Sequence, residues 1–351
     1  MADHCRLGIA GLGLVGRRHA DAIAACNGAR LVAVADPSAD GQASADALGV
    51  RCFPSLDEML DEAALDGVLL ASPTGLHVDQ AQAAVARGCP ALIEKPIGTS
   101  AADAMALVEA AEAAGVPLLV GHHRRHNPLS CAAKEVIAEG RLGIIRAVQA
   151  TCWFYKPDSY FDTAPWRKEP GAGPISVNLV HDVDLMRHFC GEVVAVQATA
   201  SPSMRGFANE DVAAAVLEFE SGAVGTISVS DSTVSPWSWE MTSGEYPVYP
   251  VTPESCYHIG GTDGALSIPD MRLWTHRGAP DWWMPISATS LVRGASDPLV
   301  NQIRHFVEVV LGREEPLVSG LEGVRTLQVV EGIQVSAQRR ERVSIPRLGR
   351  G

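Results

Sequence analysis

The stretch Arg6-Leu-Gly-Ile-Ala10, followed at once by Gly11-Leu12-Gly13-Leu14-Val15-Gly16 and then Arg17-Arg-His-Ala-Asp-Ala-Ile23, decides the fold. The first five residues form a short aliphatic run of strand type, and the residues after Gly16 have the apolar spacing of a helix. A strand that turns through these glycines into a helix is the context in which G-x-G-x-x-G binds a dinucleotide. Gly11 permits the tight turn, Gly13 lets the backbone approach a pyrophosphate, and Gly16 lets the helix close on the sheet. Leu12, Leu14 and Val15 fill the variable positions, and the amides and dipole at the helix start receive the phosphates. Asp36 closes the next apolar run, Leu31 to Ala35, where a carboxylate accepts hydrogen bonds from the adenosine ribose hydroxyls. It would repel a ribose phosphate, and neither Pro37 nor Ser38 brings a guanidinium. NAD is the expected cofactor; NADP is the alternative, through Arg51 or another base.

Outward from this unit, the chain alternates aliphatic runs with alanine-rich amphipathic stretches as far as about residue 122. Strands are expected at Arg6 to Ala10, Leu31 to Ala35, Gly67 to Ala71, Ala91 to Ile93 and Pro117 to Val120. Helices are expected at His77 to Arg87 and Ser100 to Ala114, closed by Gly88 and Gly115. That rhythm implies a parallel sheet with helices on both faces. After Asn127-Pro128 a helix, Leu129 to Glu139, leads into longer strand-like segments at Ile144 to Tyr155, Val193 to Ala200, Val212 to Glu220 and Ala223 to Val229. Two helices follow, near Leu299 to Leu311 and Glu322 to Arg339. The expected organisation is α/β: a Rossmann domain over 1–124, then an α+β domain over 125–351 with a large mixed, mostly antiparallel sheet. The stretch Asp231 to Pro298, rich in Ser, Pro, Trp and Gly, shows no clean period and is read as an insertion that caps a site or builds a subunit contact.

At 351 residues, two domains is the default organisation. The net charge of -13 disfavours binding to nucleic acid, and no apolar run is long enough to span a bilayer. The N-terminus, Met1-Ala-Asp-His-Cys5, enters strand pattern at once, so a cytoplasmic location is expected. Eight scattered cysteines contain no C-x-x-C pair, which argues for reduced thiols and against a structural zinc or a disulfide framework; no metal site is expected.

Three further segments end successive strands. They are Ala71-Ser72-Pro73-Thr74 with His77 three residues on, Glu94-Lys95-Pro96, and Gly121-His-His123-Arg124-Arg-His-Asn-Pro128. Strand ends on the carboxyl side of a parallel sheet are where ligands bind. With Gly11 to His19, Gly171-Ala-Gly-Pro174 and His181-Asp182-Val-Asp184, they give a chain that resembles the Gfo/Idh/MocA family of oxidoreductases over nearly its whole length. The resemblance implies that Lys95 sits beside the nicotinamide and the substrate hydroxyl. A cation there favours alkoxide character as a hydride leaves a carbinol. It also implies that Ser72, Pro73, Thr74, His77 and Glu94 border the cofactor.

In the second domain, Pro174 suits a first helical turn, and Asn178, His181 and Asp182 fall near one another at i, i+3 and i+4. His181 is the expected general acid/base, because imidazole exchanges a proton near neutral pH. The family gives its motif His the same role, with an Asp four residues earlier. This chain has Val177 there, which leaves Asn178 as the neighbouring polar group. The resemblance places Trp166-Arg167 near the nicotinamide or substrate. An aromatic wall with a guanidinium suits a polyhydroxylated or anionic substrate, and His123, Arg124 and Tyr155, with Asn178, His181 and Asp182, are further candidates for substrate contacts. The expected activity is hydride transfer between NAD and a secondary alcohol of a sugar, cyclitol or related polyol. The alternatives are a cis-dihydrodiol, hydroxy acid or imine as substrate, or a non-catalytic NAD-binding regulator. A homodimer or homotetramer is expected.

Overall fold

The computed structural model describes residues 4–348. The expected domain limits at 1 and 351, and Met1 to Asp3 of the N-terminal reading, lie outside the described residues. The chain divides into two compact units, residues 4–126 with 296–327 and residues 127–295 with 328–348.

The first unit runs β1 (Cys5–Ala10), α1 (Leu14–Ala24), β2 (Ala29–Ala35), α2 (Ala39–Leu48), β3 (Arg51–Phe53), α3 (Leu56–Glu62), β4 (Gly67–Leu70), α4 (His77–Ala86), β5 (Ala91–Ile93), α5 (Ala101–Ala114) and β6 (Leu118–Val120). Its six strands are all parallel, in the order β3-β2-β1-β4-β5-β6. The order reverses between β1 and β4, so the loops after these strands flank the crevice where such sheets bind ligands. The strands β4, β5 and β6 are buried along their whole length and read as continuous apolar runs for that reason. Ser38, Ser55 and Ser100 begin α2, α3 and α5 by accepting amide hydrogens from Gly41, Glu58 and Asp103.

The second unit holds α6 (Pro128–Ala138), β7 (Ile145–Trp153), α7 (Asp158–Asp162), α8 (Val180–Cys190), β8 (Val193–Pro202), β9 (Glu210–Phe219), β10 (Val224–Ser230), α9 (Trp239–Thr242), β11 (Tyr257–Gly261), β12 (Gly264–Ile268), β13 (Arg272–Thr275) and β14 (Ser287–Ser290). The chain continues through α10 (Pro298–Val310), α11 (Gly320–Arg339) and β15 (Val343–Ser344). The nine-stranded sheet has the order β14-β13-β12-β11-β7-β10-β9-β8-β15. Only the β7–β10 pair is parallel. One face packs on a core with Leu179, Val183 and Met186 of the α8 segment, joined by Val330 and Ile333. The other carries the outward positions Gln149, Gln197, Thr199, Val216 and Thr226.

Two expectations change. Residues 296–327, assigned by chain order to the second domain, pack with the first: α10 sets Leu299, Ile303, Phe306 and Val307 against Ile9, Leu69 and Leu92. The helix supplies an apolar face that covers the parallel sheet, and covering a sheet does not require adjacency in sequence. The stretch 231–298 is also no separate insertion, since β11 to β14 extend the large sheet outward from β7. All eight cysteines are free thiols, and no helix among the described residues is long and apolar enough to cross a membrane.

Candidate active-site residues

In the first unit, the three fingerprint glycines meet three different demands. Gly11 has φ +87°, and a Cβ there would lie 2.7 Å from the Ser72 amide nitrogen, so the loop presses on the end of β4. A Cβ on Gly16 would stand 2.0 Å from the Gly11 carbonyl oxygen, which fixes α1 against the turn. At Gly13 a Cβ would meet no atom within 4 Å, and this open ground beside the start of α1 fits a pyrophosphate. Leu12 is buried, whereas Leu14 and Val15 are exposed on the first turn of α1.

Asp36 is pinned to this loop. Oδ2 accepts the Leu12 amide hydrogen at 2.7 Å, and Oδ1 accepts the Ser38 amide at 2.9 Å and hydroxyl at 2.6 Å. One acceptor direction on Oδ2 remains for a ribose hydroxyl. Partial burial pushes the carboxyl upward, but the bonds from Ser38 and Leu12 and the charge of Arg17 outweigh it and hold the group below the ordinary carboxylate range. Asp36 borders a cleft of about 540 Å³ whose walls include Gly11, Pro37, Leu56, Pro73 and Leu76, a largely apolar slot suited to adenosine. Asp79 and Asp57 also line it, the latter paired with Arg87 at 2.9 Å. Arg51, the candidate base for NADP, pairs with Glu62 and lies over the Phe53 ring at 4.1 Å.

The loops after β4 and β5 are tied together by His77. Its buried ring bonds the Pro96 carbonyl at 2.9 Å through Nδ1 and the Ser72 carbonyl at 2.8 Å through Nε2. His77 therefore shapes the cofactor-side loops from within. Thr74 opens a single turn, Thr74–Leu76, just before α4, and Ser72 donates its hydroxyl to Gln80 at 2.6 Å.

Glu94, buried at the end of β5, accepts the Lys95 amide hydrogen at 3.0 Å, while its other oxygen bonds His19 Nε2 at 2.7 Å. Burial alone would raise its pKa. The His19 bond and the charges of His19, Lys95 and His123 win, and it falls to about 2. Gly121 leaves room for this carboxylate, since a Cβ there would lie 2.9 Å from Oε1. Lys95 itself is half-buried and precedes a cis bond to Pro96. Beyond β6, His123 is half-buried, whereas Arg124, expected at the pocket, is drawn inside the unit.

In the second unit, Gly173 and Pro174 lead into a wide π-helical turn, Ile175–Leu179, which runs straight into α8. Glu210 accepts the Ile175 amide hydrogen at 3.0 Å at its start. A π turn inserted in a helix is common at functional positions, and this one carries Val177 and Asn178. His181 stands half-buried in the first turn of α8. Asp182, expected among the substrate contacts, is instead turned into the core, where Tyr257 donates its hydroxyl to Oδ1. Tyr155 and Trp166 are exposed. Arg167 braces its own segment: Nη1 donates to the Tyr160 carbonyl at 2.6 Å, and the guanidinium lies 3.9 Å from the Tyr160 ring centre.

Sequence reasoning missed Lys156, a buried lysine whose Nζ donates to Asn178 Oδ1 at 2.7 Å. The one available signal was a lysine standing directly after the aromatic run Trp153-Phe-Tyr155, and nothing in the sequence names its partner.

Two family models match the chain: "Oxidoreductase family, NAD-binding Rossmann fold" over residues 5–122 and "GFO/IDH/MocA C-terminal domain" over residues 131–267. The chain belongs to the Gfo/Idh/MocA family of NAD-binding oxidoreductases. Among relatives, it is 28% identical to D-apiose dehydrogenase of Paraburkholderia graminis, over 96% of this chain and 89% of that protein. It is 26% identical to scyllo-inositol 2-dehydrogenase (NAD(+)) of Bacillus subtilis, over 94% and 93%. Among solved structures, the WlbA dehydrogenase of Bordetella pertussis, in complex with NADH and UDP-GlcNAcA, superposes with a TM-score of 0.79 at 29% identity, covering 98% of this chain and 99% of that one. In this Gfo/Idh/MocA protein the glycine turn, Asp36 and the adenosine-sized cleft fit NAD.

Proposed function

We propose that this protein is an NAD-dependent dehydrogenase that interconverts a secondary alcohol of a sugar, cyclitol or related polyol with the corresponding ketone. The observation that carries this reading is the pair of held groups at the strand ends: Asp36 locked onto the fingerprint loop, and Lys95 held through the Glu94–His19 pair. The relatives named for D-apiose and scyllo-inositol support the substrate class.

NAD, when bound, supplies the hydride acceptor. The protein handles the proton and the charge. Lys95 stabilises the negative charge that develops on the substrate oxygen as the C–H bond breaks. His181 takes the hydroxyl proton in oxidation and returns it in reduction. Asn178 orients the substrate by hydrogen bonding, because an amide cannot act as a base at neutral pH. The carboxylate of Asp36 and the engagement of Arg51 with Glu62 favour NAD over NADP. The outward face of the nine-stranded sheet is the proposed surface for pairing with further copies of the chain.

The test is a screen of cofactor reduction across sugars, cyclitols, sugar acids and dihydrodiols at mildly alkaline pH, with NAD and NADP in parallel. The expected result is turnover of one polyol class, at least tenfold more efficient with NAD. Bound NAD with no reduction by any alcohol would sink the proposal.

A further inference from the structure

Lys156 lies just past β7 with its side chain buried, a position lysine takes only when its ammonium is partnered. Its Nζ is 2.7 Å from Asn178 Oδ1, 3.4 Å from Asp231 Oδ2 and 5.0 Å from the Tyr160 ring centre. Asp231 is shared, since Arg205 Nη1 reaches its other oxygen at 3.2 Å and Nη2 donates to the Lys156 carbonyl at 2.8 Å. The shortest of the Lys156 ammonium contacts is therefore the one to Asn178. An ammonium has donors and no acceptor, so the Asn178 amide must turn its oxygen toward Lys156. Among the described residues none accepts from Asn178 Nδ2, which leaves that nitrogen for a ligand. His181 follows three residues on, and the intervening and preceding positions, Val177 included, bring no negative charge.

We propose that Lys156 is a positioning residue that fixes Asn178 as a hydrogen-bond donor, and that the group Asn178 receives is the carboxylate of a uronate-type sugar acid. The inference rests on the dehydrogenase reading and narrows its substrate class. A hydroxyl can meet either end of an amide, so a fixed donor discriminates little in its favour. A carboxylate offers acceptors only, and its bond to a donor is charge-assisted and roughly twice as strong as a neutral one. The ammonium on the far side of the amide polarises it in the same sense, so the two bonds reinforce each other.

The test is calorimetry of the protein loaded with NADH against two matched pairs, D-glucuronate with D-glucose and D-galacturonate with D-galactose, alongside kcat and KM for NAD reduction by the same four sugars. Wild type is expected to bind at least one acid at least tenfold more tightly than its neutral partner. That margin should shrink to about twofold or less in Lys156→Met, and the loss should appear in KM more than in kcat. Asn178→Asp sets a carboxylate opposite Lys156, keeps the buried pair and removes the donor, so it should fold with an unchanged melting temperature and also lose the margin. If Lys156→Met does not fold, Asn178→Asp decides the matter. A wild type that binds neither acid, or binds acid and neutral sugar alike, overturns the inference, as does a margin that survives either substitution. Efficient oxidation of neutral polyols with no advantage for the acids would overturn it while leaving the dehydrogenase reading intact. Bound NAD with no reduction by any alcohol would remove that reading itself.

Discussion

Lys95 is held by a group that is itself held. The Glu94 carboxylate takes the Lys95 amide on one oxygen and His19 on the other, and despite its burial it titrates at about 2 rather than at the ordinary 4.5. A carboxyl whose folded value is depressed adds stability that is complete above its unfolded value and fades as the pH falls through the folded one. Glu94 thus contributes fully above about pH 4.5, and the contribution is lost on the way down to about pH 2. Thermal melts of Glu94→Gln across that window should lack this acid limb and show a lower melting temperature at neutral pH, with Lys95-dependent turnover reduced as well. Wild-type and variant melts that decline in parallel would contradict the assignment. At this scale the sequence was most legible where chemistry is local. The demands on Gly13 and Gly16 arise within the turn itself, whereas Glu94 finds His19 across 75 residues and its run is legible only as a family motif. Lys156 and Asn178 are brought together by folding across 22 residues, and Asp182 finds Tyr257 across 75, so neither partnership could be read from spacing.

The turn from β1 into α1 is the proposed seat of the pyrophosphate, and its glycines should separate binding from folding. Gly13 has φ -69° and no protein atom near its Cβ position, so Gly13→Ala should leave the melting temperature of the free protein within about 1 °C while weakening NAD binding at least tenfold. Gly16→Ala forces a Cβ to within 2.0 Å of a backbone oxygen that cannot move without opening the turn. It should destabilise the protein before any cofactor is added, by about 1–3 kcal/mol, the usual cost of overpacking. Differential scanning calorimetry with and without NAD distinguishes the two; equal melting temperatures for the free variants would count against this division of roles. The long strands β7 to β10 and the helices α10 and α11 follow their apolar periods and were read at nearly their observed limits. The strands β3 and β11 to β14 escaped although β4 to β6, equally short, did not: Gly67–Leu70, Ala91–Ile93 and Leu118–Val120 are unbroken apolar runs, whereas β3 and β11 to β14 mix polar residues into three to five positions. A run that short carries no measurable period, and partners supplied by the rest of the sheet decide whether it pairs.

For the whole molecule, chain order was a poor guide to which residues belong together. Residues 296–327 return to the first unit because the parallel sheet needs an apolar cover on that face, and α10 provides it with Phe306 fully buried against Gly67 and the strands. The outer face of the large sheet sets Gln149, Gln197, Thr199 and Thr226 around the half-exposed Val216, all uncharged, so that another flat surface could approach them without burying an ion. Light scattering should accordingly give the mass of a dimer or tetramer, and the mass of one chain would remove self-association from the account. The proposed chemistry joins an NAD-binding unit to two groups, Lys95 for charge on the substrate oxygen and His181 for the proton. The most direct test measures NADH formation by wild type, Lys95→Ala and His181→Ala on one substrate that turns over, with NAD affinity determined for each protein. The account predicts that both variants bind NAD within about threefold of wild type and lose a factor of about 10² to 10⁴ in kcat, the usual range for removing an acid-base or charge-stabilising group. Variants that bind NAD normally and keep wild-type kcat would contradict it.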